Sequence, residues 1–162
     1  MRIAVYPGSF DPVHYGHIDL VRRAVRLFDR VIVAAAENVE KVPGAFPVEE
    51  RVAMLREVLA DMPSVEVAAY SGLTVDFALS RGAACLIKGL RAVGDFDYEL
   101  KQSAMNRILA PNLDTLLFIA APEWAFVSSS LIREVARLGG SVERICPPPV
   151  VRRLRAQWPE KG

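Results

Sequence analysis

Five short apolar runs mark the chain, and the intervals between them are long enough for a helix each. Ile3-Ala4-Val5-Tyr6 predicts a first strand over 3–6. From Ile18 the apolar positions recur at helical spacing, which predicts a helix over 18–28. Val31-Ile32-Val33-Ala34-Ala35-Ala36 is unbroken, as in a strand buried on both faces. Residues 37–46 hold Lys41, Pro43 and Gly44 and read as a loop. Pro47 then opens a helix to about residue 60, with Glu49 and Glu50 in its first turn. A third strand follows over 65–70. A turn at 71–74 leads into a helix over 75–80, with Gly82 as its C-terminal cap. Ala84-Cys85-Leu86-Ile87 is the fourth strand, over 84–87.

The second half repeats the alternation. A turn over 88–94, Lys88-Gly89-Leu90-Arg91-Ala92-Val93-Gly94, leads into a helix over 95–109 that Ala110-Pro111 ends. A fifth strand is predicted over 114–120, then a loop over 121–127 with Glu123 and Trp124. Ser128, Ser129 and Ser130 are N-cap residue types before a helix over 131–138, which Gly139-Gly140 stops. Cys146-Pro147-Pro148-Pro149 is a rigid connector to a last helix over about 150–157. Strands alternating with helices predict an α/β chain of one domain, 1–162. Its expected core is a doubly wound, five-stranded parallel sheet of Rossmann-like order 3-2-1-4-5, with a C-terminal helix. Such sheets bind ligands beyond the carboxyl ends of their strands at the switch point, here between strands 1 and 4. Those two strands are the ones followed by the two unusual turns.

Composition narrows the class. A length of 162 residues, 52% of them hydrophobic, suits one domain with a substantial core. No window approaches the ~20 apolar residues of a membrane span. A net charge of +1 gives no bulk attraction to nucleic acid or membrane, and neither is expected as a partner. Cys85 and Cys146 are remote from each other, and the N-terminal residues do not read as a signal peptide, so a reducing cytoplasm is expected. With a mean hydropathy of +0.22 the chain has more apolar surface than one small core hides, which predicts self-association.

The chemistry concentrates in the turn after the first strand. Pro7, Gly8, Pro12 and Gly16 are expected to fix unusual backbone there. The helix mouth at Gly16-His17 is expected to offer unpaired N–H groups to an anion. Both histidines of the protein, His14 and His17, stand in this turn. A surface or capping role is the plain alternative. A zinc pair lacks further ligands, because both cysteines are distant. The serine run at 128–130 reads as capping or as a second anion site. Lys41 reads as a phosphate ligand or as solvated loop charge, and Glu99 as a site residue or a surface acid. Lys88, directly after a buried strand, faces the mouth of the crevice.

In PGSFDPVHYGH, the residues His14-Tyr15-Gly16-His17 resemble the H-x-G-H signature of the nucleotidyltransferase superfamily. Together with KGLRAVGDFDYELKQSAMNRILAPNLDTLLF and EWAFVSSSLIRE, the chain resembles bacterial phosphopantetheine adenylyltransferases over nearly its full length. The resemblance implies transfer of the adenylyl group of ATP to 4'-phosphopantetheine, giving dephospho-coenzyme A and pyrophosphate in coenzyme A biosynthesis. It implies Mg2+ arriving with ATP, with no metal ligand among the protein side chains. It assigns Ser9, Lys41, Thr74 and Lys88 to phosphopantetheine. It assigns Ser9, Phe10, His17, Gly89, Leu90, Arg91 and Glu99 to ATP, with Trp124, Ala125, Phe126, Val127, Ser128, Ser129 and Ser130. His17, Lys41 and Arg91 are the implied catalytic residues, and His17 is the one assigned to stabilise the transition state. An in-line displacement at the α-phosphorus needs such donors and cations, and no protein nucleophile. The resemblance also implies a homohexamer built as a dimer of trimers, with each active site complete within a subunit. Three positions depart from the commoner family residues: Ser9 stands for Thr, Lys88 for Arg and His14 for Thr. The last matches nicotinate-nucleotide adenylyltransferases, the alternative within enzymes. A nucleotide-sensing module on the same fold is the alternative outside them.

Overall fold

The computed structural model describes residues 1–37 and 44–159. Its strands are β1 (Ile3–Gly8), β2 (Arg30–Ala36), β3 (Val65–Tyr70), β4 (Cys85–Leu90) and β5 (Asp114–Ile119). They form one sheet of order β3-β2-β1-β4-β5 in which every pairing is parallel, as the alternation predicts. The helices are α1 (Tyr15–Ala24), α2 (Val48–Val58), α3 (Thr74–Ser80), α4 (Val93–Leu109), α5 (Ser129–Arg137) and α6 (Pro148–Gln157). A short 3₁₀ turn, Pro122–Trp124, precedes α5. Among the described residues no helix is long and apolar enough to cross a membrane.

The unbroken apolar strands are explained by helices on both faces. Ala4, Tyr6, Val31, Val33 and Ile87 leave the sheet toward α1, α2, α5 and α6 and form the larger core. Their neighbours in the chain, Val5, Ile32, Ala34 and Leu86, leave it toward α3 and Leu113. The period of two in a strand sends alternate side chains to opposite faces, so both faces must be apolar. Helix α4 breaks this pattern, because none of its residues is buried. Val93, Phe96, Leu100, Met105 and Ile108 stand exposed along it.

Element ends differ from expectation where long-range pairing extends or shortens them. β1 runs on to Gly8, because Pro7 and Gly8 stay in register with Ala34 and Ala35 of β2. β4 runs on to Leu90, because Lys88, Gly89 and Leu90 pair with Leu117, Phe118 and Ile119 of β5. The turn expected over 88–94 is therefore strand for its first three residues. α1 begins at Tyr15 and stops at Ala24, well short of 28. α4 begins at Val93, where the Asp95 carboxylate accepts from the backbone N–H groups of Arg91 and Ala92. α5 begins at Ser129 with Ser128 as its N-cap, and α6 begins at Pro148. Gly82 adopts φ +66°, the left-handed conformation that its place after α3 requires.

Candidate active site

Beyond the carboxyl ends of β1 and β4 lies a cavity of about 370 Å3, at the expected switch point. Its floor is the turn that follows β1. Here the unusual backbone belongs to Phe10, whose φ is +47°, and to a cis peptide between Asp11 and Pro12. Gly8 and Gly16 do not have positive φ; what they supply is room. A Cβ on Gly8 would lie 3.0 Å from the Phe10 ring, and one on Gly16 would lie 3.0 Å from His14 and 3.3 Å from Trp124.

The two histidines are bound into the start of α1. The Gly16 N–H donates to His14 Nδ1 at 3.1 Å, and the His14 N–H donates to His17 Nδ1 at 3.2 Å. Their rings stack with centroids 3.7 Å apart, and His17 meets the Phe10 ring edge-on at 5.0 Å. An Nδ1 that accepts a hydrogen bond leaves the proton of a neutral imidazole on Nε2. Burial, with the Arg91 charge, pushes the His14 imidazolium down to about 3. His17 is held well below its ordinary value by burial, by His14 and by Arg91. Both rings are therefore neutral near pH 7.

The expectation of open N–H groups at the α1 mouth is corrected. The Tyr15 N–H donates to the Ile145 carbonyl, Gly16 to His14 Nδ1, and His17 to the His14 carbonyl. A histidine as N-cap takes up the donors that a plain helix start would leave free. The mouth of α5 differs. Ser128 Oγ accepts from the Leu131 N–H, while the N–H groups of Ser129 and Ser130 find no acceptor among the described residues. The Ser129 hydroxyl donates to the Pro12 carbonyl at 2.8 Å, which ties this mouth to the turn after β1.

Cations close the walls. Arg91 Nη1 donates to the Val127 carbonyl at 2.8 Å, and its Nε lies 3.4 Å from Asp95. Arg133 Nη1 donates to the Asp11 carbonyl at 2.5 Å. At the far end Arg23 Nη1 donates to the Ile119 carbonyl at 2.7 Å and lies 3.4 Å from Asp19.

Of the residues singled out in the sequence, Ser9, Phe10, His17, Gly89 and Arg91 line this cavity, as do Trp124 and Ser128, Ser129 and Ser130. Leu90, Ala125, Phe126 and Val127 do not; Val127 is buried and offers only its carbonyl to Arg91. Thr74 starts α3, where its hydroxyl is 2.9 Å from the Tyr70 hydroxyl, and does not line the cavity. Lys88 and Glu99 pair at 3.7 Å between β4 and α4, and Glu99 Oε2 is buried without a hydrogen bond among the described residues. Lys41 lies outside the described residues. The cavity also takes in Tyr6, Asp19, Arg23 and Arg133, which sequence reasoning passed over. Arg133 had a signal: it is a cation one turn into the helix that the serine run opens.

The cytidylyltransferase-like family model matches residues 5–135. A phosphopantetheine adenylyltransferase of Thiobacillus denitrificans is 53% identical over 95% of this chain and 96% of its own. One of Desulforudis audaxviator is 48% identical over 100% of this chain and 99% of its own. Among solved structures, a Vibrio parahaemolyticus protein described as a nicotinate-nucleotide adenylyltransferase superposes with a TM-score of 0.67 at 17% identity. The match covers 95% of this chain and 99% of that one. At that identity the likeness is one of fold.

Proposed function

We propose that this chain, which belongs to the cytidylyltransferase-like family and within it to the phosphopantetheine adenylyltransferases, carries out their reaction in the cavity beyond β1 and β4. It is a nucleotidyltransferase of coenzyme A biosynthesis. It joins ATP and 4'-phosphopantetheine into dephospho-coenzyme A and pyrophosphate. The observation that carries this reading is identity of about half to relatives of that name, over nearly the whole of both chains.

In the proposed mechanism a phosphate oxygen of phosphopantetheine attacks the α-phosphorus of ATP. The bond to the bridging oxygen breaks, and pyrophosphate leaves in line. Charge grows on the nonbridging oxygens, so preorganised donors and cations do most of the work. His17 donates from Nε2 as a neutral imidazole, held by the His14 N–H. The N–H groups of Ser129 and Ser130 take the β- and γ-phosphates, with Arg91 and Arg133 as forked cations beside them. Ser9, Lys41, Thr74 and Lys88 serve phosphopantetheine. Mg2+ enters as the magnesium salt of ATP: three arginines against one acid, Asp19, line the cavity, a set that suits phosphate oxygens and not a protein-held cation.

The test is pyrophosphate release from ATP with phosphopantetheine, with nicotinate mononucleotide, and with neither. Turnover with phosphopantetheine alone is expected; turnover with nicotinate mononucleotide alone would overturn the assignment. We further propose a homohexamer, a dimer of trimers, of roughly six times 17.8 kDa. The apolar residues left exposed along α4, with Ile119 and Phe126 near it in the chain, are the surface that supports it. Size exclusion with light scattering should give the hexamer mass, and a persistent monomer at micromolar concentration refutes it. Two buried free thiols, Cys85 and Cys146, fit the cytoplasm as its compartment.

A further inference from the structure

Arg51 is the one lysine or arginine buried among the described residues, and it does not line the cavity. Its guanidinium reaches three backbone carbonyls. Nη1 donates to Ser9 at 2.5 Å and to Ala36 at 3.0 Å, and Nε donates to Phe46 at 3.2 Å. Those carbonyls stand after β1, at the end of β2 and before α2. The buried carboxylate of Asp11 lies 4.0 Å from Arg133, and it accepts from the N–H groups of Ala45 at 2.8 Å and Phe46 at 3.0 Å. Phe46 is thus held at its N–H by Asp11 and at its carbonyl by Arg51. The fit is close: a Cβ on Gly44 would come within 2.2 Å of Asp11 Oδ2.

Burying a guanidinium against neutral carbonyls is a poor way to gain stability. An apolar side chain of similar volume avoids the desolvation cost altogether. What a rigid fork supplies is geometry, because one planar group sets three acceptors at fixed mutual distances. Of those acceptors, Ser9 belongs to a residue that lines the cavity. The other two bracket the stretch of chain between Ala36 and Phe46, whose sequence carries Lys41.

We infer that Arg51 is a positioning residue for the phosphopantetheine end of the site, setting Ser9 against the end of β2 at Ala36 and the approach to α2 at Phe46. The inference rests on the reading that Ser9 serves phosphopantetheine. Ser9 is assigned to ATP as well, but the ATP-phosphate groups on α5 and after β4 are not among the partners of Arg51, so phosphopantetheine should respond more than ATP to its loss.

The experiment compares wild type, Arg51→Lys and Arg51→Met by steady-state kinetics in each substrate, by ATP titration without the second substrate, and by thermal unfolding. In Arg51→Met the KM for phosphopantetheine should rise about tenfold or more, the scale of a reactant displaced by a fraction of an ångström, while ATP affinity changes far less. Arg51→Lys keeps the charge but not the fork and should fall between the two; it carries the test if Arg51→Met does not fold. Equal changes in both substrates that follow the melting temperature, or no change in either, would overturn the inference. Amide exchange of the protein alone supplies a readout independent of substrate. Residues 9–11 and 45–46 should exchange faster in both variants, and unchanged exchange there also overturns it. Should the wild-type protein fail to use phosphopantetheine, the functional reading falls, and the exchange measurement still decides the role of Arg51.

Discussion

Two helices point their N-termini at the same cavity and treat their free N–H groups in opposite ways. At α1 the first three are consumed: Ile145, the His14 ring and the His14 carbonyl accept them. At α5 one is capped by Ser128, and those of Ser129 and Ser130 stay open among the described residues. The first mouth uses its backbone to hold two imidazoles still, and in the proposed mechanism an imidazole then does the donating. The second uses its backbone directly. A fixed side-chain donor can be aimed where charge develops in the transition state. An open pair of N–H groups at a dipole end binds phosphate in the ground state as well. The α1 mouth should therefore govern kcat, and the α5 mouth ATP binding.

The largest effect expected from this contrast is at His17. His17→Ala should lower kcat by about 10²–10³, the typical loss of one preorganised donor, with far less change in the KM for ATP. A kcat near wild type would erase the distinction between the two mouths. The α5 mouth offers a sharper chemical test. Ser128 is extended, at φ −140° and ψ 151°, and Ser129 is the first helical residue, so proline fits at 129 and removes one N–H without breaking the helix. Ser129→Pro should weaken ATP binding about tenfold, the scale of one charge-assisted hydrogen bond, with kcat at saturation less affected. Ser129→Ala, which keeps the N–H and loses only the hydroxyl bond to Pro12, should bind ATP more tightly than Ser129→Pro. Equal losses in the two would place the effect in the hydroxyl.

The smallest effect is in stability. Both imidazoles are held neutral, so the folded protein refuses protons that the unfolded chain accepts below about pH 6.5. More protons bound in the unfolded state means stability falls as pH falls. The slope reaches at most about 1.4 kcal/mol per pH unit for each histidine. For His14 the decline continues toward its folded value of about 3. Denaturant unfolding between pH 7 and 4.5 should show the slope, and His14→Asn should reduce it. An unchanged slope in that variant would mean that His14 is charged in the folded protein.

Much of the site was legible because its markers are local. Two histidines three residues apart, a serine run before a helix, and cationic residues after the fourth strand all announce themselves without knowledge of the fold. The histidine cap was legible only as the plain alternative to a ligand, because the residue that looks like a ligand is also the one that closes the helix mouth. Lys88 and Glu99 were placed with different substrates, yet they lie 3.7 Å apart, a pairing that only the packing of α4 beside β4 creates.

The sequence by itself determined the order of elements, the parallel sheet with its switch point and the turns that line the cavity there, because apolar periodicity and turn residues act over a few positions. Tertiary structure alone decided which donors remain open, how far β4 extends and which side chains hold the turn. Those outcomes depend on bonds between residues far apart in the chain: Phe46 to Asp11 across 35 positions, Ser129 to Pro12 across 117 and Arg133 to Asp11 across 122. No local pattern encodes such a bond, because it forms only after the sheet has brought its strand ends together.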